Sequence, residues 1–173
     1  MPVVLKDGRP VTLRWLRTDD GERLAELYAA VTAADRRFYC PHPLDRAHAL
    51  KNAALADDPC QIVLAAETPA GEFAGYAWVR WKDAAAYQGN FGICVRPDYQ
   101  GNGTGRALMT RLFEVVREAG PPVVRLTVQQ ANARGVALYR KMGFRIVEER
   151  QRHAIPALGL PSEPEYVMER ASR

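Results

Sequence analysis

The sequence predicts an α/β (α+β) fold, a mixed central β-sheet flanked by helices in the order β-α-α-β-β-β-α-β-α-β-β. Three observations carry this. Strand-like and helix-like segments alternate over most of the 173 residues. The β-branched run Val123–Val128 reads as a central strand. No internal repeat and no dividing linker occurs, so one domain spanning 1–173 is expected, long enough to bury a substantial core.

The elements follow in order. Val11–Leu16 begins by alternating apolar and polar residues and reads as a strand. Asp19 followed by Glu22 has the spacing of a capping box, which predicts a helix start. Leu24, Leu27, Tyr28 and Val31 then fall on one apolar face. Asp45 caps a second helix running to about Ala56, stopped by Asp57-Asp58-Pro59. Gln61–Glu67 and Phe73–Trp81 are strands joined by the hairpin loop Thr68-Pro69-Ala70-Gly71-Glu72. Trp78 and Trp81 have opposite strand parity, so at most one should face the core. After the looser residues 82–89 comes the strand Phe91–Val95.

The third helix places Leu108, Leu112, Val115 and Ala119 on one side and ends at Gly120-Pro121-Pro122. Beyond Val123–Val128, a short helix from about Arg134 to Met142 is closed by Gly143 in a left-handed C-cap. Phe144–Glu149 and Glu165–Glu169 are the last strands, with an irregular loop at 155–164 between them.

Composition is ordinary for a globular protein, with 47% hydrophobic and 25% charged residues. The start of the chain lacks the apolar run of a signal peptide, and no run approaches a membrane span, which excludes a membrane partner at this level. Cys40, Cys60 and Cys94 are odd in number and widely spaced, against a disulfide framework or a zinc site. A cytoplasmic location and no metal are therefore expected. The net charge of +4 and pI near 9.1 favour anionic ligands mildly. The basic residues are scattered without a nucleic-acid motif, so a nucleic-acid partner is a distant reading resting on charge alone.

The most informative stretch is Gln100-Gly101-Asn102-Gly103-Thr104-Gly105, between the strand Phe91–Val95 and the amphipathic run that starts at Arg106. The first N–H groups of a helix lack intrahelical acceptors, and its dipole places partial positive charge there. Glycines let an anion approach those amides and allow the backbone angles of a tight cradle. A glycine-rich turn with no ligand would share this composition. The spacing matches neither G-x-G-x-x-G nor a P-loop, and no lysine follows.

Read as Gln-x-x-Gly-x-Gly after Val95-Arg96-Pro97-Asp98-Tyr99, the loop closely resembles the acyl-coenzyme A pyrophosphate loop of the GNAT superfamily of N-acyltransferases. A second block, Asn132–Phe144, resembles that family's other signature, in which an asparagine opens a helix, a tyrosine lies inside it and a Gly-Phe pair turns into the next strand. Tyr139 lies two helical turns after Asn132, so both address one side of the structure. The element order is also that of the GNAT fold. Residues 18–60, through Thr32–Tyr39, are loosely similar to bacterial acyltransferase modules that act on protein lysines.

The resemblance implies direct transfer of an acetyl (acyl) group from acetyl-CoA, a co-substrate, to a primary amine. Main-chain groups near Cys94 and Val95 would hold the pantetheine arm, and one amide there would stabilise the oxyanion. Amides of Gln100, Gly101, Asn102, Gly103, Thr104, Gly105 and Arg106 would hold the pyrophosphate. Asn132 would contact the pantetheine or order the opening between strands, and Tyr139 would protonate the departing thiolate. Many relatives carry a glutamate where this chain has Asn90, so the base is open. Candidates are His42, Glu67, Glu72, Asp83, Tyr87 or a water relay. Cys94 offers a rival acyl-cysteine route, although no adjacent base is visible. Asn90 also motivates a second reading, a non-catalytic acyl-CoA-binding or regulatory module. Aromatic candidates for the acceptor pocket are Trp15, Tyr28, Phe38, Tyr39, Trp78, Trp81 and Tyr87. The acceptor is open, as is oligomeric state, with a homodimer among the options because dimers are common among the proteins this chain resembles.

Overall fold

A computed structural model describes residues 1–39 and 41–173; Cys40 lies outside the described residues. The chain runs β1 (Pro2–Val4), β2 (Pro10–Trp15), α1 (Gly21–Ala30), α2 (Ala33–Arg36), α3 (Arg46–Ala54), β3 (Gln61–Glu67), β4 (Phe73–Trp81), β5 (Gln88–Val95), α4 (Thr104–Ala119), β6 (Val123–Gln129), α5 (Ala133–Lys141), β7 (Arg145–Arg152) and β8 (Glu163–Ala171). The eight strands form one sheet in the order β1-β2-β3-β4-β5-β6-β8-β7. Every neighbouring pair is antiparallel except β5–β6. The expected mixed sheet with flanking helices is therefore present.

Both faces of the sheet are covered, and strand parity decides which residue goes where. On one face Ile62, Leu64, Ala77 and Val79 pack with Leu108, Met109, Leu112 and Val116 of α4. On the other, Val63, Ala65, Tyr76 and Trp78 pack with Leu24, Leu27 and Tyr28 of α1 and Ala49 of α3. Trp78 and Trp81 do lie on opposite faces. Because each face is a core, Trp78 is buried in one and Trp81 packs half-buried on the other, so the expectation that at most one faces a core is corrected.

Several boundaries differ for local reasons. The three-residue β1 was not anticipated; it is too short to show periodicity and pairs Val3 with Val11 across a hairpin. The single turn α2 is held by Thr32, whose hydroxyl accepts from the Asp35 amide at 3.1 Å. The residue at the start of α1 is Asp20 rather than Asp19, and it makes no side-chain cap bond. The α4 stripe is also rotated from the expected one: Val116 is buried, Val115 only half-buried, and Ala119 exposed. Asp45 caps α3 as expected, accepting from the His48 amide at 2.8 Å. Gly143 takes the left-handed conformation expected after α5, with φ +88°.

Candidate active site

Parallel pairing between β5 and β6 covers only Gln88–Asn90 against Val123–Arg125. Beyond it β5 stays with β4 and β6 stays with β8, so the sheet splits. The split leaves one edge of Phe91–Val95 without a strand partner. Main-chain groups alternate sides along a strand. The Arg96 amide donates to the Ala74 carbonyl on the β4 side, so Cys94 also faces β4, whereas Ile93 and Val95 face the opening. Of the two expected main-chain partners, only Val95 points its groups at the split, and Ile93 is the residue the sequence did not mark. The Cys94 side chain is buried on the α1–α3 face, where burial pushes its thiol up to about 12. It stays protonated at neutral pH, which removes the nucleophile an acyl-cysteine route requires.

At the end of β5, a single 3₁₀ turn, Pro97–Tyr99, leads into the glycine loop. Gly101 and Gly103 adopt φ +81° and +104°, a region that side chains with a Cβ rarely enter. Gly105 is different: it is helical, and an added Cβ would meet nothing closer than 3.4 Å. The buried Asn102 and Thr104 side chains brace the loop. Asn102 Nδ2 donates to Asp7 at 2.9 Å, and Thr104 Oγ1 donates to Asn102 Oδ1 at 2.8 Å. The side chain of Gln100 donates to the Val95 carbonyl at 3.2 Å. The Gln100 amide is taken by Pro97 and the Thr104 amide by Asn102. The amides of Gly101, Asn102, Gly103, Gly105 and Arg106 have no acceptor among the described residues. Five unpaired donors at the start of a sixteen-residue helix form an anion cradle, and this fits a phosphorylated ligand.

Asn132 caps α5, its Oδ1 accepting from the Gly135 amide at 2.9 Å. Tyr139, further along α5, lines the cleft and packs edge-on to Phe91 and Phe144, with ring centroids 6.0 and 6.1 Å away. Burial pushes its phenol up to about 12, so it is fully protonated at neutral pH. One residue missed from the sequence is Arg134 on the first turn of α5. Its guanidinium lies 3.3 Å from where a Cβ on Gly101 would stand, beside the anion cradle. A cation two residues after the capping asparagine was the available signal.

The cleft, about 570 Å³, is lined by Asn90, Phe91, Gly92 and Ile93 on one side and by Arg125–Thr127 and Gln129 on the other. Phe38, Tyr39 and Trp78 also reach it, whereas Tyr28 is buried in the core and Trp15 and Tyr87 are exposed. Its outer wall is charged: Arg150 donates to Glu165 at 2.8 Å and Arg152 to Glu163 at 3.0 Å. Gln129 Oε1 and Arg152 Nε are buried without hydrogen-bond partners among the described residues. The candidate bases fare unevenly. Glu67 is tied to Arg14 at 2.8 Å and Glu72 to Arg96 at 2.9 Å. Neither they, Asp83 nor Tyr87 lines the cleft. His42 does not line it either, but lies half-buried behind Tyr28.

Comparison with known proteins agrees with this geometry. The model of the acetyltransferase (GNAT) family matches residues 15–144. The chain is 32% identical over 146 residues to a mycothiol acetyltransferase of Beutenbergia cavernae, covering 82% of this chain and 48% of that protein. It therefore spans about half the length of that relative. The fold matches the GNAT domain of S. lividans PAT with a TM-score of 0.78 at 23% identity, over 99% of this chain and 96% of that one. It also matches yncA from Salmonella typhimurium, solved with its cofactor acetyl-CoA, with a TM-score of 0.79 at 22% identity over 94% of each chain. With the split sheet, the glycine loop and the match over most of its length, this chain belongs to the acetyltransferase (GNAT) family.

Proposed function

We propose that residues 1–173 form a single acyltransferase domain that moves an acetyl group from acetyl-CoA to a primary amine of a small molecule or protein by direct attack. The observation that carries this reading is the split between β5 and β6, which presents a free strand edge and the Tyr139 phenol at one cleft, with the unpaired amides of the glycine loop following the end of β5. The outward main-chain groups of Ile93 and Val95 bind the pantetheine arm as a neighbouring strand would, and one of these amides faces the carbonyl oxygen as charge develops. The amides of Gly101, Asn102, Gly103, Gly105 and Arg106, with Arg134, bind the pyrophosphate. The free Nδ2 of Asn132 contacts the pantetheine, and Tyr139 donates a proton to the departing sulfur. Cys60 and Cys94, free thiols among the described residues, favour a reducing cytoplasm.

Incubation with acetyl-CoA and a panel of amines should release free thiol only when an acceptor is present. Thiol release independent of every amine would overturn direct transfer. Asn90, where a carboxylate base would stand, favours a second reading as an acyl-CoA-binding module without turnover. Tight acetyl-CoA binding with no acetylated product from any amine would select it.

A further inference from the structure

The sheet face beneath α1 and α3 holds a connected file of polar groups. Tyr39 Oη lies 2.6 Å from Tyr76 Oη, Tyr76 Oη lies 2.7 Å from Tyr28 Oη, and Tyr28 Oη lies 3.4 Å from His42 Nε2. Tyr28 and Tyr76 are fully buried, where phenylalanine would fill the same space without two hydroxyls to satisfy. Tyr39 lines the cleft at one end, and His42 lies half-buried in a surface loop at the other.

The end groups give the file a direction. Trp78 Nε1, a donor only, points at Tyr39 Oη at 3.4 Å. Asn52 Nδ2 donates to Tyr28 Oη at 3.0 Å, its orientation fixed by Arg80 donating to its Oδ1 at 3.2 Å. At the far end, His42 Nδ1 donates to the Pro43 carbonyl at 2.7 Å, which leaves Nε2 as the lone pair, faced by Tyr28 Oη at 3.4 Å and by Asn52 Nδ2 at 3.0 Å. With donors feeding one end and an acceptor closing the other, the phenol protons can align toward His42, whose Nε2 lone pair Tyr28 shares with Asn52.

We propose that Tyr39, Tyr76, Tyr28 and His42 form a proton relay that takes the proton of the acceptor ammonium from the cleft to solvent, the task Asn90 cannot perform. The ammonium gives a proton to Tyr39 Oη as Tyr39 passes its own to Tyr76, Tyr76 to Tyr28, and Tyr28 to His42 Nε2. The amine loses one proton, the imidazole gains one, and every phenol ends neutral. The freed nitrogen lone pair then attacks the thioester, and the imidazolium releases its proton to water. Tyr39 meets the substrate; Tyr76, Tyr28 and His42 act through it. The electrostatics agree with hopping: burial raises all three phenols above their ordinary range, so none rests as a phenolate. Burial also lowers His42, keeping it neutral and able to accept, in surroundings that include His48 stacked at 5.4 Å, Asp45, Tyr28 and Arg80.

This relay rests on the amine-acetylating reading, and the test separates the two. Turnover of the full chain with acetyl-CoA and the best amine of the panel is followed against pH for wild type, Tyr76→Phe and His42→Gln. Acetyl-CoA affinity and thermal unfolding are measured alongside. Both variants should lose about a hundredfold in kcat at neutral pH. The loss should close at alkaline pH, where the amine is already neutral, and added imidazole should partly rescue His42→Gln. A deficit of equal size at every pH marks a merely structural role and overturns the relay, as does wild-type kcat in His42→Gln, whose loop position spares the core if Tyr76→Phe fails to fold. No amine-dependent thiol release from wild type overturns the underlying reading, and the relay with it.

Discussion

Asp20 is fully buried at the start of α1, where it meets Arg14 at 2.6 and 2.8 Å, Arg23 at 2.9 Å and the Arg17 amide at 2.8 Å. Burial raises its carboxyl, but the bonds from Arg14, Arg17 and Arg23 outweigh this and hold it below its ordinary value. Its contribution is thus present above the usual carboxylate range and is lost as pH falls through the depressed value. Asp20→Asn leaves the poorly exposed Arg14 with Glu67 alone and should cost about 3 kcal/mol in chemical denaturation. Asp19→Asn, on an exposed side chain, should fall within about 0.5 kcal/mol. The sequence pointed to Asp19 because its spacing to Glu22 suits a capping box; it could not show that Arg14, on another element, would claim the next carboxylate. Tyr139 was legible for the opposite reason, since its helix periodicity and its Asn132 and Gly143 neighbours are local. Tyr139→Phe should lower kcat about a hundredfold with little change in acetyl-CoA affinity, as measured by steady-state kinetics and titration. With the phenol near 12, its deprotonation should cause no alkaline loss of activity below about pH 10.

At the scale of elements, loop and helix divide the work of the glycine segment. Gly103 holds φ +104° immediately before α4, so Gly103→Ala should cost about 1–2 kcal/mol of stability and weaken acetyl-CoA binding as the cradle distorts. Gly105→Ala meets ordinary contacts and should leave stability within about 0.5 kcal/mol. Denaturant titration of the two variants checks the contrast. A cost at Gly105 equal to that at Gly103 would sink the distinction. Gly92 illustrates what pattern reading misses. An added Cβ would lie 2.3 Å from the Trp78 ring, so Gly92→Ala should cost about 1–3 kcal/mol by overpacking. That requirement comes from a neighbouring strand, paired with β5 in the register Trp78–Gly92, and no local spacing encodes it. The rotated stripe of α4 has a similar origin. Val115 and Ala119 fit helical periodicity, but the sheet selects the face that carries Val116.

Across the whole molecule, the decisive feature is a sheet that fails to close. Seven strands and four of the five helices were legible because each has its own periodicity, caps or breakers, whereas the split is a relation between β5 and β6. Pairing stops at Asn90 and Arg125 although both strands continue, so Phe91–Val95 carry main-chain donors and acceptors that no strand meets on that side. Such an edge is unfavourable unless water or a ligand satisfies it. A ligand that binds across the split and the glycine loop joins the two halves of the sheet only in the folded state, and so stabilises it by mass action. At a hundredfold excess over its Kd, acetyl-CoA should add about 2.7 kcal/mol. For a chain of this length that corresponds to a rise in Tm of roughly 5–10 °C. Thermal unfolding followed by circular dichroism gives the value directly. Free acetate and pantetheine, which lack the pyrophosphate that the five loop amides would bind, should produce far smaller shifts at the same concentration. An equal shift from pantetheine would move the anchor of the ligand from the glycine loop to the strand edge, and an unchanged Tm with acetyl-CoA would remove the donor site from the split altogether.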